Sequence, residues 1–382
     1  MDVAIVGAGP AGARAAYVLA RAGARVTIFD PSHPREKPCG GGVTGRALAL
    51  VTDAIGADTF PRTTIRAMRF TSSSEAGAAD GIAVTLDRGA LVVASRASFD
   101  AALLASAERA GASVERVRVR DVAVDRHAVR VETARGTRHA AFLIGADGAN
   151  SLVRRRLAGA FPRAQLSIAT GYFAHGITSH EAVIELAANP PGYMWSFPRP
   201  DHLAIGICAQ ADAGATAEEL RRRTFAWIRR THVAGDARLE PYSWPIPSLR
   251  PADLEALRLA GSRWCLAGDA AGLVDPITRE GIFFALASGE WAAEAALGDG
   301  GTDRYAACVR DAVVPELRRA AQVKATFFAP AFTRLLLEAL QESARIRAVM
   351  ADLITGRQTY STLKWRLLKT LEVRVAWRAL HG

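Results

Sequence analysis

The stretch DVAIVGAGPAGARAAYVLARAGARVTIFD, residues 2–30, decides the fold. A short apolar strand leads into a G-x-G-x-x-G turn, an alanine-rich helix and a second apolar strand. Gly7 permits the tight turn, Gly9 leaves room for a pyrophosphate against the backbone, and Gly12 lets helix and strand pack closely. Asp30 ends the second strand, where a carboxylate accepts hydrogen bonds from a ribose. These features together predict the first β-α-β unit of a dinucleotide-binding domain.

The composition is typical of a globular protein with two or three domains. The chain has 382 residues, of which 50% are hydrophobic and 23% are charged. No window reaches the ~18 uninterrupted apolar residues that a membrane span requires. The dinucleotide turn begins at residue 7, which leaves no room for a targeting segment, so we expect a cytoplasmic protein.

The charge pattern does not indicate a nucleic-acid-binding protein. The net charge is +10, but only four of the 48 basic residues are lysines, and no basic run is interleaved with aromatic residues. The positive charge is compatible with attraction of the protein to an anionic membrane surface. The four cysteines form neither a C-x-x-C pair nor a Cys/His cluster with zinc spacing, so we expect no metal site.

Two kinds of segment are interleaved along the chain. Buried strands that end in Gly/Asp turns, at 141–148 and 264–269, are typical of a cofactor domain, whereas 165–210 alternates like an antiparallel sheet. The pattern also predicts a helix over 44–55 and a strand over 122–131. We predict an α/β (α+β mixed) protein whose cofactor domain is built from discontinuous pieces, with a β-sheet domain inserted between them. The predicted bounds are 1–62, 96–158 and 260–298 for the cofactor domain, 63–95 and 159–259 for the sheet domain, and 299–382 for a helical C-terminal region.

Further motifs follow the glycine-rich turn in a fixed order. Leu143-Ile144-Gly145-Ala146-Asp147-Gly148 resembles the Asp-Gly motif of the glutathione-reductase-like flavoproteins of the hydroxylase superfamily, and Ala267-Gly268-Asp269 resembles their Gly-Asp motif. The resemblance implies FAD, with Asp269 bonded to its ribityl chain and Arg96 near its phosphates. It also implies a Rossmann-like FAD-binding domain of the glutathione-reductase/hydroxylase type, with an inserted antiparallel β-sheet substrate domain. Only one G-x-G-x-x-G, at Gly7–Gly12, directly follows an apolar strand as a dinucleotide-binding turn does. The electron donor would therefore dock transiently, as NAD(P)H or as a redox protein.

Two motifs resemble those of one family in particular. Pro38-Cys39-Gly40-Gly41-Gly42 and Tyr193-Met194-Trp195-Ser196-Phe197-Pro198 resemble the P-C-G-G-G and Y-x-W-x-F-P motifs of the geranylgeranyl reductase family. Asp275–Ile282 sits where the flavin-contacting turn of that family belongs, with Arg279 at a position that is glycine in many members. The resemblance covers about residues 1–300. It implies an FAD-dependent reductase that saturates isolated C=C bonds of an isoprenoid, or of another apolar alkene, by hydride transfer from reduced flavin.

The candidate catalytic residues are Cys39, Tyr193 and Trp195. Cys39 is placed beside the flavin by its glycine-rich motif; it is either a small buried residue or a thiol that protonates a carbon. Tyr193 and Trp195 alternate along a strand, as core residues do, but the flanking Gly192 and Pro198 and the motif match favour a substrate-pocket wall. The predicted cofactor-binding residues are Gly7, Gly9, Ala11, Gly12, Asp30, Arg35, Cys39, Gly40, Gly42, Arg96, Val119, Asp147, Asp269, Gly281 and Ile282.

Three other functions are alternatives to an FAD-dependent C=C reductase. An FAD-dependent monooxygenase that hydroxylates an aromatic or polyketide substrate shares the fold, but the motifs at 38–42 and 193–198 argue against it. A flavin-dependent halogenase uses a lysine in the middle of the chain, and none lies between Lys37 and Lys324. A flavoprotein that only binds or senses redox state would not need those two motifs.

The segment 361–380 mixes tryptophan and leucine with basic residues. It is compatible with a helix that lies on a membrane surface. Lys364 and Arg378, however, fall among Leu367, Leu371 and Val375 on a helical wheel, which favours a helix packed on the body of the protein.

Overall fold

The computed structural model describes residues 1–56, 58–71, 81–298 and 301–370. The Gly/Ser/Ala-rich connection that the sequence shows at 72–80, and residues 371–380 of the segment 361–380, therefore lie outside the described residues. The strands are β1 Asp2–Val6, β2 Arg25–Phe29, β3 Gly42–Thr44, β4 Thr63–Thr64, β5 Ala67–Thr71, β6 Ile82–Thr85, β7 Leu91–Val93, β8 Ser113–Glu115, β9 Val119–Val124, β10 Val129–Thr133, β11 Gly136–Ala140, β12 Phe142–Gly145, β13 Leu166–His175, β14 Glu181–Ala188, β15 Pro191–Pro198, β16 His202–Gln210, β17 Arg238–Pro247, β18 Ala260–Gly261 and β19 Trp264–Leu266. The helices are α1 Pro10–Arg21, α2 Gly45–Ala49, α3 Arg96–Arg109, α4 Leu152–Leu157, α5 Ala217–Thr231, α6 Pro251–Glu255, α7 Ile282–Leu297, α8 Gly301–Ala312, α9 Val314–Phe327, α10 Pro330–Glu342, α11 Ala344–Ile354 and α12 Tyr360–Lys369, with 3-10 turns at Arg163–Gln165 and Gly268–Ala271.

A six-stranded sheet forms the centre of the cofactor domain. Its order is β18-β19-β12-β1-β2-β8, and every neighbouring pair is parallel except β18 with β19. The apolar runs of β1 and β12 are buried, as expected for strands covered on both faces. Helix α1 packs so closely on α7 that a Cβ on Gly289 would lie 2.3 Å from the carbonyl oxygen of Ala11. Small residues on both helices allow this approach.

A seven-stranded sheet forms the inserted domain, in the order β17-β13-β16-β15-β14-β5-β6. All its neighbouring pairs are antiparallel except β14 with β5, which are parallel. The parallel pair joins two separate pieces of chain, and a parallel pair requires a long connection. Within 63–95, β5 and β6 extend this sheet, whereas β7 pairs with both β3 and β4 in a separate three-stranded sheet. The predicted domain bounds stay a prediction.

The C-terminal helices pack against the seven-stranded sheet. One buried apolar cluster combines Met68 and Ile184 of the sheet with Leu340, Met350 and Leu353 of α10 and α11. The cofactor domain has its own core, which includes α8 and the start of α9. The helical C-terminal region therefore closes the sheet domain on one side.

Two local expectations are wrong in detail. The predicted helix 44–55 is only α2, capped by Thr44, after which the chain continues in turns. The predicted strand 122–131 is a hairpin of β9 and β10. The carboxylate of Asp125 accepts hydrogen bonds from the backbone N–H groups of His127 (2.7 Å) and Ala128 (2.9 Å), which turns the chain.

Candidate active site

The glycine-rich turn has the geometry that a pyrophosphate requires. Gly7 has φ 102°, and a Cβ there would lie 2.3 Å from the carbonyl oxygen of Ala146. A Cβ on Gly12 would lie 1.9 Å from the carbonyl oxygen of Gly7, so Gly12 serves packing. A Cβ on Gly9 would meet only His33, at 3.8 Å. Helix α1 begins at Pro10 without a side-chain cap, so its N-terminus is available to an anion.

Asp30 is buried at the end of β2, beside this turn. One carboxylate oxygen accepts the backbone N–H of Ala8 at 2.9 Å, and the other accepts those of Ser32 and His33 at 2.8 and 2.9 Å. Burial raises the pKa of Asp30, but the His33 ring and these N–H groups lower it more, so the net pKa is well below its usual range. The carboxylate therefore stays ionised at the cofactor end of the site.

A chain of buried charges runs from Asp30 to Cys39. His33 donates to Asp30 at 2.8 Å through Nδ1 and lies 3.5 Å from Asp100 through Nε2. Arg96 binds Asp100 in a fork at 2.8 and 2.9 Å, and its Nη1 lies 4.0 Å from the Cys39 sulfur. Burial lowers the pKa of His33, but its contacts with Asp100 and Asp30 raise the pKa by more than burial lowers it. The net pKa is therefore above its usual value. Arg96 thus lies between a carboxylate and the candidate thiol.

The P-C-G-G-G loop packs against Phe197 of β15. A Cβ on Gly40 would lie 2.4 Å from Phe197 Cδ2, and one on Gly41, where φ is 82°, would lie 2.4 Å from the Ala94 carbonyl oxygen. On Gly42 the nearest atom would be 3.5 Å away. The glycines at 40 and 41 thus admit neighbouring protein atoms as well as lining the site. The loop also donates the Gly41 N–H to the Cys39 sulfur at 3.1 Å.

Arg199, which no sequence motif indicates, holds this loop in place. It is fully buried and donates to the Cys39 carbonyl oxygen at 2.6 Å. Its guanidinium also pairs with Glu36 and donates to Nε2 of His202 at 3.1 Å. Glu36 in turn accepts the backbone N–H of Arg96 at 3.1 Å. One ion pair therefore links the sheet domain, the loop and the start of α3.

The two motif aspartates have different surroundings. Asp147 accepts the N–H groups of Leu152 and Val153 at 2.6 and 3.2 Å, and its burial raises its pKa. Asp269 pairs with Lys37 at 3.1 Å, a contact that no sequence motif indicates. A Cβ on Gly281 would lie 3.3 Å from Asp269 Oδ1, so the Gly-Asp motif and the start of α7 meet.

Tyr193 and Trp195 lie on one face of β15 with their ring centroids 5.8 Å apart. The Tyr193 hydroxyl donates to the Thr278 carbonyl oxygen at 2.8 Å, and burial raises its pKa above the usual value. Trp195 is 4% exposed. These two residues therefore form an aromatic wall of the cavity.

A single cavity of about 690 Å³ brings these residues together. Every predicted catalytic and cofactor-binding residue lines it except Gly12, which packs beneath the turn. The C-terminal helices, for which the sequence offered no motif, contribute Phe327, Met350 and Leu353 to the wall. The uncapped α1 N-terminus, the open space over Gly9 and the ionised Asp30 fit a bound FAD.

The fold and the cavity together define an FAD-binding flavoprotein. The family model described as FAD binding domain matches residues 1–287. The chain is 33% identical over 333 residues to the menaquinone reductase of Mycolicibacterium smegmatis, covering 79% of this chain and 78% of that protein. It is 29% identical over 314 residues to the geranylgeranyl diphosphate reductase of Rhodobacter capsulatus, covering 78% and 75%.

A solved structure shares the fold over nearly the whole chain. A geranylgeranyl bacteriochlorophyll reductase-like protein from Thermoplasma acidophilum has a TM-score of 0.79 and 20% identity, covering 96% of this chain and 98% of that one. The chain belongs to the geranylgeranyl reductase family of FAD-dependent oxidoreductases. The predicted fold class and the prediction of FAD as cofactor are confirmed.

Proposed function

We propose that this protein is an FAD-dependent reductase that saturates isolated C=C bonds of a prenyl chain of the geranylgeranyl type. The observation that carries the proposal is the cavity, which is continuous from the nucleotide turn at Gly7 past Cys39 and Trp195 to an apolar chamber. A flavoprotein that needed only to bind FAD would have no use for that chamber.

The chamber has the chemistry of a site for a hydrocarbon chain. Its walls come from both the sheet and the C-terminal helices, and the apolar side chains that line it are those of Met68, Phe70, Ile184, Leu186, Ile246, Ile277, Phe327, Met350, Leu353 and Ile354. Burial of a prenyl chain among them contributes about 0.8 kcal/mol per CH₂. These walls also keep water away from the reacting carbon atoms.

The cofactor is held by residues of the first domain. The turn at Gly7 and Gly9 and the α1 N-terminus receive the pyrophosphate, and Asp30 receives a ribose. Asp269, with Lys37 beside it, would bind the ribityl chain. FAD bound by these residues would, in its reduced form, supply the hydride that an unactivated alkene needs.

Cys39 is our candidate for the proton donor. Addition of a hydride to one alkene carbon leaves the other carbon to take a proton, and loss of the thiol proton leaves a thiolate. The Gly41 N–H at 3.1 Å and the Arg96 guanidinium at 4.0 Å are placed to stabilise that thiolate. A proton from water then restores the thiol. Tyr193 and Trp195 position the chain as a wall, because the Tyr193 hydroxyl already donates to a backbone carbonyl.

We also propose a peripheral contact with a membrane surface, where prenyl lipids are found. Among the described residues, no helix is both long and apolar enough to cross a membrane. Helix α12 exposes Trp365 (68%) and Leu368 (53%) beside the exposed Lys364 and Lys369. This mixture of apolar and basic side chains suits a surface of anionic lipid. The electron donor would be NAD(P)H or a redox protein that docks transiently.

The function is tested with the reduced holoprotein under anaerobic conditions. Mixing it with geranylgeranyl diphosphate should reoxidise the flavin and give a product heavier by two hydrogen atoms for each double bond reduced. If the flavin is reoxidised only when oxygen is admitted, and an aromatic substrate then gains one oxygen atom, the protein is a monooxygenase instead.

A further inference from the structure

His33 borders the open space over Gly9 in the nucleotide turn. Among the described residues, the atom nearest to a Cβ built on Gly9, apart from its chain neighbours, is His33 Nε2, at 3.8 Å. The ring lines the same cavity as Gly9, and 12% of its side chain stays exposed. This space is where the turn leaves room for a pyrophosphate. A group that enters the cavity over Gly9 therefore meets the His33 ring.

Two carboxylates hold the ring in this position. Nδ1 lies 2.8 Å from Asp30 Oδ2, and because an ionised carboxylate only accepts hydrogen bonds, Nδ1 carries a proton. Nε2 lies 3.5 Å from Asp100 Oδ2, which is longer than an ordinary N–H···O hydrogen bond. A proton on Nε2 is therefore favoured by the facing carboxylate but only weakly bound to it. This N–H can donate to an acceptor in the cavity.

The charges that face His33 leave one negative charge in excess when the ring is neutral. Asp30 ends β2, whereas Asp100 and its fork partner Arg96 belong to α3. On the outer side, the exposed Arg116 donates to the His33 backbone carbonyl oxygen at 2.8 Å. Two carboxylates thus face one buried guanidinium beside the turn that receives an anion. A protonated His33 ring makes this group of charges neutral.

We propose that protonated His33 is a ligand of FAD, with its Nε2–H donated to the pyrophosphate and its charge balancing the carboxylates behind it. No sequence motif marks this role, because His33 lies three residues beyond the acid that ends the dinucleotide-binding unit.

The affinity for FAD should consequently depend on pH. Burial raises the pKa values of Asp30 and Asp100, but their hydrogen bonds and nearby cations lower them by more, so both stay ionised. Burial lowers the pKa of His33, but the contacts with Asp100 and Asp30 raise it by more, to above the usual value. FAD should be held most tightly below the pKa of His33 and released faster as the pH rises through it.

Release of FAD from the oxidised holoprotein tests the assignment without turnover. The protein is diluted at pH values from ~6 to ~9, and the fluorescence of free FAD gives the dissociation rate. At pH ~6, His33→Gln should release FAD about tenfold or more faster than the wild type, because a hydrogen bond between charged groups is lost. The two rates should converge as the pH rises, with the wild type becoming faster.

Two further variants complete the test. His33→Lys keeps a positive charge throughout this range, so it should release FAD slowly and with little dependence on pH. The matched control is His127→Gln, in the exposed turn between β9 and β10, which should behave as the wild type at every pH. Circular dichroism checks that each variant folds.

A purely structural role of the ring predicts different results. A constant ratio of release rates between His33→Gln and the wild type at every pH would overturn the proposal. Release from His33→Lys as fast as from His33→Gln would overturn it too, and so would equal release by the wild type and His33→Gln at pH ~6. The measurement follows oxidised FAD alone, so its outcome does not depend on whether the protein reduces a prenyl chain.

Discussion

Arg199 donates a hydrogen bond to the backbone carbonyl oxygen of Cys39 at 2.6 Å, so a side chain of the sheet domain fixes the loop that carries the candidate proton donor. The same guanidinium pairs with Glu36, which accepts the N–H of Arg96 at the start of α3. The position of the thiol relative to the cofactor domain therefore depends on the contact between the domains.

Replacement of Arg199 by methionine should destabilise the protein strongly. The side chain is fully buried, and its loss leaves the mostly buried carboxylate of Glu36 without its ion-pair partner. We expect the free energy of unfolding to fall by about 3 kcal/mol or more, measured by urea denaturation of the holoprotein. The control Arg238→Met removes an exposed arginine at the start of β17 and should change stability little. Equal stability of both variants would contradict the role given to Arg199.

Substitution of Gly40 by alanine should force the loop and Phe197 apart. The new Cβ would lie 2.4 Å from the Phe197 ring, and overpacking of this kind costs about 1–3 kcal/mol. Thermal unfolding measures the effect. Gly42→Ala is the matched control, because its Cβ would have 3.5 Å of clearance. Adding Phe197→Leu to Gly40→Ala should recover part of the loss; if it recovers none, Phe197 is not the cause.

The parts of the site that the sequence predicts are those that local rules determine. Gly7 is needed for a positive φ and Gly9 for open space, and both requirements leave a pattern in a few consecutive residues. Asp30 and Asp147 follow apolar parallel strands, whose carboxyl ends meet at one edge of the sheet. Their joint position is therefore predictable without a structure.

The parts that the sequence does not predict are ion pairs between distant segments. Arg199 and Glu36 are 163 residues apart, and Lys37 and Asp269 are 232 residues apart. In a chain with 48 basic residues, no periodicity separates a buried arginine from an exposed one. The contribution of α11 to the chamber is missed for a similar reason, because Met350 and Leu353 read only as the apolar face of a helix.

The stability of the protein should depend on pH through His33. The pKa of His33 in the folded state is raised above the unfolded value of about 6.5. The stabilising contribution of protonated His33 to the free energy of unfolding is therefore fully present below pH ~6.5. The contribution is lost as the pH rises through the folded pKa. His33→Gln should therefore be less stable than the wild type at pH ~6, and the difference should narrow as the pH rises. Urea denaturation across this range measures it, with the exposed His127→Gln as control.

A constant difference between His33→Gln and the wild type at every pH would show that the ring contributes hydrogen bonds only. The charge chain from Asp30 to Arg96 would then not depend on a protonated His33.

Removal of the apolar side chains of α12 should weaken binding to anionic membranes. The double variant Trp365→Ser, Leu368→Ser should float less with vesicles of phosphatidylcholine and phosphatidylglycerol, because it removes exposed apolar area. Added salt should weaken wild-type binding by screening Lys364 and Lys369. The control Phe225→Ser removes an exposed aromatic ring from α5. Equal flotation of all three proteins would rule out α12 as the contact.

Substitution of Cys39 by alanine separates proton donation from cofactor binding. The thiol lies between the Gly41 N–H and the Arg96 guanidinium, and both groups are far too weak as acids to donate the proton in its place. We expect the reoxidation of reduced flavin by a prenyl substrate to slow by about 10²–10⁴, as for the loss of a general acid. The bound-flavin content should stay unchanged. Cys308→Ala, on α8 and away from the cavity, is the matched control.

A second comparison distinguishes proton donation from simple packing. Cys39→Ser keeps the size of the side chain and a hydroxyl proton, but the alkoxide it would form is far less stable than a thiolate. If the thiol donates the proton, serine should be nearly as slow as alanine, and the rate of the wild type should fall in deuterated solvent. If serine restores the wild-type rate, or if the solvent has no effect on either protein, Cys39 serves the shape of the pocket and the proton comes from elsewhere.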